Sequence, residues 1–231
     1  MLLTLPIREV LPATPRARIA RLELDGQPFD YAPGQAVAIA SHGQEKRRPY
    51  SIAGAPEDTQ RTGWIELLVG VNADGIPGPH LALEPGQLVD VEGPLGSFTF
   101  PPAPDERRFI FIAGGTGIAP LRAMMHRALL LPHRNIGLFY SVRTPDEFAY
   151  EEELRGLADA GDIELRQTVT RASDTDWTGA RGRLNREALE ELVHGPETLC
   201  FVCGPPALVD EMPKLLADLG IPRARIRLEE W

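Results

Sequence analysis

Ile110-Phe111-Ile112-Ala113-Gly114-Gly115-Thr116-Gly117-Ile118-Ala119-Pro120 is the stretch on which the reading of this chain turns. Four apolar residues without polar alternation mark a strand covered on both faces. They run into a glycine-rich turn, Gly114 to Gly117, and Pro120 then falls near the start of a predicted helix, Pro120–Leu131. Glycines let backbone N–H groups approach an anion closely, and a helix N-terminus is electropositive. Proline near a helix start gives up no needed hydrogen bond. In an open parallel sheet, ligands sit beyond the carboxyl ends of the strands, where this turn lies. The spacing is not G-x-G-x-x-G, so the usual dinucleotide fingerprint does not apply. Read alone, the turn either binds a phosphate or needs glycine for its geometry only.

Downstream the same alternation continues. Strands are predicted at Arg108–Ala113, Ile136–Ser141, Ile163–Thr170, Thr198–Cys203 and Arg225–Leu228. Helical stretches fall between them at Tyr150–Ala160, Asn185–Val193 and Ala207–Leu219. Strand–helix alternation of this kind predicts a parallel sheet with helices on both faces. Upstream, Pro101-Pro102-Ala103-Pro104-Asp105-Glu106 cannot continue a strand or a helix and reads as a linker. Before it lie short β-rich runs at Ala17–Leu24, Ala36–Ala40, Pro49–Ala53, Trp64–Val71 and Leu88–Glu92. Turn signals separate them: Asp25-Gly26, Pro33-Gly34, Asp74-Gly75 and Pro85-Gly86. Runs at this spacing predict a small antiparallel barrel. The expected division is therefore a β-barrel over 1–101, a linker over 102–106 and an α/β domain over 107–231, an α+β two-domain chain.

Length agrees, since 231 residues suit two domains of about 100–130 each. The formal charge of −9, with no basic stripe, argues against nucleic acid and anionic membrane as partners. No run of about 18 apolar residues is present to span a membrane. The start, MLLTLPIREVLPATPRAR, lacks the organisation of a secretion signal, so the expected location is cytoplasmic. Cys200 and Cys203 spell C-x-x-C, but in TLCFVCG they lie on a predicted strand. Residues three apart on a strand point to opposite faces, so no dithiol centre is expected. Two cysteines cannot hold an iron–sulfur cluster, and no metal is expected.

Three further segments carry chemistry-bearing side chains. In Arg47-Arg48-Pro49-Tyr50-Ser51-Ile52 an arginine fork suits a pyrophosphate and a tyrosine ring suits a flat ligand. Alone, the segment reads better as a strand end with solvated arginines and a core tyrosine. Val91 to Phe98 leaves the barrel half through a Gly/Pro turn, and Cys203-Gly204-Pro205-Pro206 is another strand–turn–helix corner.

Taken together and in order, these segments resemble the ferredoxin–NADP reductase superfamily: R-x-Y-S at Arg48, Tyr50 and Ser51, G-P-x-G-x-F at Gly93 to Phe98, G-G-T-G-I-A-P at Gly114 to Pro120, and C-G-P at Cys203 to Pro205. The likeness spans essentially the whole chain. It implies a six-stranded antiparallel Greek-key β-barrel that binds FAD, followed by an α/β domain that binds NADPH or NADH. By the resemblance, Arg48 and Pro49 lie on the flavin pyrophosphate, Tyr50 stacks on the isoalloxazine, and Ser51 bonds near its reactive nitrogen. Members continue with a G-x-x-S/T segment on the FAD phosphates. Here that segment is Gly75-Ile76-Pro77-Gly78, with Gly78 in place of the hydroxyl residue and Pro77 lacking an N–H. Gly114, Gly115, Thr116 and Gly117 would hold the nicotinamide dinucleotide, with Thr116 near the flavin. Cys203, Gly204 and Pro205 would border the nicotinamide. Glu229, near the C-terminus, is the expected acidic partner at the reaction centre. Trp231 either packs on the flavin or is an ordinary terminal residue. Arg143, Arg171 and Arg183 resemble the 2′-phosphate positions of bacterial ferredoxin/flavodoxin–NADP reductases and favour NADPH over NADH.

The expected activity is hydride transfer from NADPH to flavin, then electron delivery to a separate acceptor such as ferredoxin, flavodoxin or an oxygenase component. Stacking and orientation carry the catalysis, and no general acid or base is required. Two other readings stay open: a reductase using free flavin as a loosely held substrate, and a non-catalytic flavin- or dinucleotide-binding regulatory subunit.

Overall fold

The computed structural model describes residues 1–171 and 177–230. The first half forms six strands, β1 (Leu2–Thr14), β2 (Ala17–Glu23), β3 (Ala36–Ser41), β4 (Arg48–Ser51), β5 (Trp64–Gly70) and β6 (Leu88–Leu95), with a short helix α1 (Pro56–Thr62). They make one antiparallel sheet in the order β4-β3-β6-β1-β2-β5. A bridge between Ile52 and Leu67 brings the two edge strands together and closes the barrel. Its interior is filled by Leu5, Ile7, Leu22, Ile39, Leu67 and Val91. The longest strand, β1, is absent from the runs read in the sequence. It carries Pro6 and Pro12, and register shifts between Ile7 and Glu9 and between Pro12 and Thr14 accommodate its irregular course. Helix α1 was also unexpected. Pro56 sits in its first turn, the Asp58 carboxylate accepts from Ala55 N–H at 3.2 Å, and Gly63 ends it at φ +84°.

The second half is built from β7 (Arg108–Gly114), α2 (Ile118–Leu129), β8 (Asn135–Val142), α3 (Glu151–Asp159), β9 (Glu164–Val169), β10 (Ala180–Arg181), α4 (Arg186–Glu190), β11 (Leu199–Gly204), α5 (Pro206–Asp218) and β12 (Ile226–Glu230). All its strands pair in parallel, in the order β10-β9-β8-β7-β11-β12. The apolar run of β7 is buried on both sides, as its composition predicts. Phe109 and Phe111 face α2 and α3, whereas Ile110 and Ile112 face α4 and α5.

The two halves share one core. Phe98 and Phe100, just after the barrel, enter the same apolar cluster as Phe109, Phe111 and Phe201. The Phe100 ring lies 5.1 Å from Phe109, 5.5 Å from Phe201 and 6.5 Å from Phe111 between centroids. Such pairs contribute about 0.5–1.5 kcal/mol each beyond area burial.

A buried ionic cluster forms the second tie. The Arg122 guanidinium of α2 donates to both Glu153 oxygens on α3, to the Ala53 carbonyl at 2.8 Å and to Glu66 of β5 at 3.2 Å. It also lies 4.4 Å above the Tyr150 ring. His126, one turn further on, sits 2.7 Å from Asp58 of α1 through Nδ1 and 2.7 Å from Glu153 through Nε2. Burial opposes charge on His126, but its two carboxylate partners override this and raise its pKa despite nearby Arg122. Its hydrogen bond from His126 holds Asp58 far below the usual range, and Glu153 is held at about 2 by His126 and Arg122 against the cost of burial.

The sign of the pH dependence follows. A raised histidine stabilises fully below its ordinary pKa of 6.5 and ceases to as pH climbs through the folded value. The depressed carboxylates stabilise above their ordinary range, near 4, and cease to in acid. The contribution of this cluster to the melting temperature is therefore expected to be fullest between about pH 5 and 6.5 and to decline along an upper limb above it. His126→Gln should flatten that upper limb. Arg122→Met, which leaves Glu153 to His126 and Glu66 to Arg21 alone, should cost up to about 3 kcal/mol in urea unfolding.

Candidate active site

Strand β7 neighbours β8 on one side and β11 on the other, and the chain reaches β11 only after completing β8, β9 and β10. The switch point of the sheet thus lies between the ends of β7 and β11, where a parallel sheet opens a crevice. Gly114 and Gly204 meet there. A Cβ on Gly114 would stand 2.7 Å from Pro205 Cδ, and one on Gly204 would stand 3.1 Å from the Gly114 Cα. A Cβ on Gly117 would strike the Cys203 carbonyl. These three glycines are demanded by packing, and Gly115 by its φ of +55°. Gly115 and Thr116 are half-buried and face a cleft. Tyr140 pins the turn: its phenol donates to the Gly115 carbonyl at 3.1 Å and accepts from Ala149 N–H at 3.2 Å. Sequence reasoning missed Tyr140 because it looks like one more apolar residue of a buried strand.

The cleft has a volume of about 930 Å³ and runs between the two halves. That is the upper end of the usual range for a small-molecule site. Ile76, Pro77 and Gly78 of the barrel half form one wall, and Gly114, Gly115, Thr116 and Pro205 lie in the other. Ile76 is 52% exposed, an apolar side chain left bare on that wall. Arg143, Arg171 and Arg183 gather at the same cleft from the ends of β8, β9 and β10. The Arg171 N–H donates to the Arg143 carbonyl at 2.7 Å, which joins two of these loops. Arg16, reaching in from the β1–β2 turn, also lines the cleft. Glu147 accepts from the Arg143 N–H at 3.2 Å and lies 4.0 Å from the Arg16 guanidinium. Glu211 lies 3.4 Å from Arg183. The site thus concentrates four arginines against two glutamates, the charge that a phosphate group requires.

Arg48, Pro49, Tyr50 and Ser51 lie on β4 against β3, in register with Ile39, Ala38, Val37 and Ala36. They do not line that cleft, and Gly78 is the link to it. A Cβ on Gly78 would stand 3.3 Å from His80 Nδ1 and 3.7 Å from an Arg48 guanidinium nitrogen. The Tyr50 hydroxyl lies 2.9 Å from His80 Nε2, with the two rings 10° from parallel. Arg48, Tyr50, Gly78 and His80 therefore share one corner at the barrel rim. Gly75 turns at φ +76° beside Arg18, and the Asn72 side chain accepts from the Asp74 and Ile76 N–H groups to shape the turn.

Cys203 and Glu229 face each other in register on β11 and β12, with Sγ 3.9 Å from the carboxylate. Neither lines the large cleft. Cys203 belongs to the core face shared with the barrel, and Cys200 to the opposite face, so the two sulfurs do not meet. Burial, and Glu229 beside it, push the Cys203 thiol far up, so it stays protonated and is not a nucleophile. Burial also raises Glu229 to about 7. Trp231 lies outside the described residues. Among the described residues no cluster of His, Cys, Asp or Glu could hold a metal ion, and no helix is long and apolar enough to cross a membrane.

Two family models match the chain, the oxidoreductase FAD-binding domain over residues 5–100 and the oxidoreductase NAD-binding domain over 111–214. Ferredoxin–NADP reductase B of Sorangium cellulosum is 31% identical, over 96% of this chain and 94% of its own length. The ferredoxin–NAD(P)(+) reductase component of the naphthalene 1,2-dioxygenase/salicylate 5-hydroxylase systems of a Ralstonia species is 30% identical, over 95% of this chain and 66% of its own. A cytochrome P450 reductase structure from Amycolatopsis superposes with a TM-score of 0.82 at 27% identity, covering 99% of this chain and 70% of that one. A ferredoxin–NADP+ reductase from Neisseria gonorrhoeae, with bound FAD and NADP, shares the fold at 0.79 and 20% identity over 99% and 98%.

Glu229 offers a direct check on this geometry. Its folded pKa lies above the ordinary 4.5, so the neutral carboxyl is favoured and stability is expected to fall as pH rises from about 4.5 through 7. A carbon-13 titration should find its midpoint near 7. Glu229→Gln should match the parent protein at low pH and exceed its stability at about pH 8.

Proposed function

Because this chain belongs to the ferredoxin–NADP reductase superfamily of FAD- and NAD-binding oxidoreductases, we propose that it carries electrons from NADPH through bound FAD to a separate protein such as ferredoxin, flavodoxin or an oxygenase component. The observation that carries the reading is the cleft shared by the 76–78 turn of the barrel and the glycine turn at the sheet's switch point. It lets a ligand held by one half meet a ligand held by the other.

When bound, FAD supplies an acceptor for a hydride pair and a means of passing the electrons on singly. The chain's own residues bind and orient. Arg48 presents its donors to the FAD diphosphate beside Gly78, and the half-buried Tyr50 ring offers a stacking face for the isoalloxazine. Ser51, next on β4, offers a hydroxyl to the same ring. Gly114 to Gly117, fixed by Tyr140, present the turn and the α2 N-terminus to the dinucleotide. Arg143, Arg171 and Arg183, with Arg16 across the cleft, would engage the adenosine 2′-phosphate. Cys203, buried outside that cleft, would shape the nicotinamide end only through its packing on Gly117. Glu229 holds a proton at its carboxyl near neutral pH.

One observation favours a second reading. Gly78 brings no hydroxyl and Pro77 no N–H to the phosphate turn, which suits a reductase that uses flavin as an exchanging substrate.

The test is to purify the protein without added flavin, desalt it and record its visible spectrum before and after anaerobic NADPH, then NADH. About one equivalent of flavin, bleached faster by NADPH, is expected. Arg143→Ala with Arg171→Ala should raise KM for NADPH about tenfold or more and leave NADH little changed. A colourless protein that oxidises NADPH only with added free flavin would move the assignment to the second reading.

A further inference from the structure

The corner at the barrel rim contains a buried nitrogen without a partner. His80 is 5% exposed, and its Nδ1 has no hydrogen-bond partner among the described residues. Its other nitrogen is taken by the Tyr50 hydroxyl. Burial pushes the Tyr50 phenol up although Arg48 pulls the other way, so the phenol keeps its proton and is able to donate to Nε2 or to accept from it. Burial and the Arg48 charge lower the His80 pKa, so the ring is neutral near pH 7. A neutral imidazole that accepts at Nε2 carries its proton on Nδ1. Nδ1 is the unmet atom, an anion beside it would select the tautomer that places the proton there and has Tyr50 donate to Nε2, and it stands 3.3 Å from where a Cβ of Gly78 would be.

The backbone around it keeps the Gly78 N–H but loses donors on either side. Pro77 and Pro79 have none, and the Ile76 and Gly75 N–H groups are spent on Asn72. Arg48 reaches the same spot, its guanidinium nitrogen 3.7 Å from the Gly78 Cβ position. A guanidinium and a neutral N–H converging where side-chain bulk is absent suit an anionic oxygen.

We propose that His80 is a diphosphate ligand, its Nδ1–H donating to FAD beside Arg48 and standing in for the hydroxyl that Gly78 lacks. This rests on the proposed function and adds to it the residue that compensates for the altered turn. His80 then does two things at once: Nε2 fixes the hydroxyl of the stacking tyrosine, and Nδ1 grips the phosphate end of the same cofactor.

The experiment titrates FAD into flavin-free parent protein, His80→Phe and His80→Asn, then records phosphorus-31 and visible spectra at saturating FAD. His80→Phe keeps the ring and loses both nitrogens, whereas the Asn amide can set an N–H near the Nδ1 position. For His80→Phe we expect FAD affinity to fall about tenfold or more, with shifted diphosphate resonances. His80→Asn should restore much of the loss. Unchanged affinity in both variants would overturn the proposal. So would a shifted flavin band with unmoved phosphorus resonances, which would put His80 on the ring instead. A parent protein that binds no FAD would overturn the proposed function itself, while parent-like affinity in His80→Phe would overturn only the role of His80. Thermal unfolding of each variant without flavin separates loss of fold from loss of the ligand contact.

Discussion

The Arg122 cluster is the constraint on which the rest of the molecule depends. Its guanidinium is buried and is balanced only if Glu66 and the Ala53 carbonyl of the barrel meet Glu153 of α3. Desolvating that many charges is costly, and an incomplete set would be worse than none. The two halves are therefore docked in one orientation or scarcely docked. The Phe100 stack adds cohesion, but rings can slide, whereas the forked hydrogen bonds of Arg122 fix register. With the halves fixed, the cleft between them has a definite width, and the Ile76–Gly78 turn faces the glycine turn across it.

The same helix that carries Arg122 and His126 begins at the glycine turn. A disturbance at the ionic cluster therefore reaches the cleft through a rigid rod of three turns rather than through a loop. Tyr140 anchors the other flank of the turn, from a strand buried in the sheet. The floor of the site is stiff because its glycines leave no room: β7 and β11 touch backbone to backbone at Gly114 and Gly204.

Much of this was legible in the sequence, for physical reasons that differ by segment. The second half read well because an uninterrupted apolar strand such as 109–113 has few alternatives to a buried parallel sheet, and the glycine turn follows it directly. The barrel read less completely. β1 was hidden because its two prolines break the alternation that marks a strand, and only neighbours on both sides reveal that it pairs. The glycine turn was legible as a tight turn at the end of a strand, but not the division of labour within it, since close packing of Gly117 on Cys203 is a long-range fact. His80 and Tyr140 were invisible for the same reason: each acquires meaning from a partner far along the chain. Arg16 owes its place to the fold, which brings it to the cleft with Arg143 and Glu147.

The arginines of the cleft have a kinetic consequence. The chain as a whole carries −9, so its average field repels anions. Four arginines at one cleft open a positive window in that field. An anion is repelled over much of the surface and attracted at the cleft. Such steering acts on the rate of encounter rather than on the strength of the final contacts, and it fades as ions screen it over about 8–10 Å at physiological salt. The association rate of an anionic ligand at this cleft is thus the quantity in this protein that ionic strength moves most.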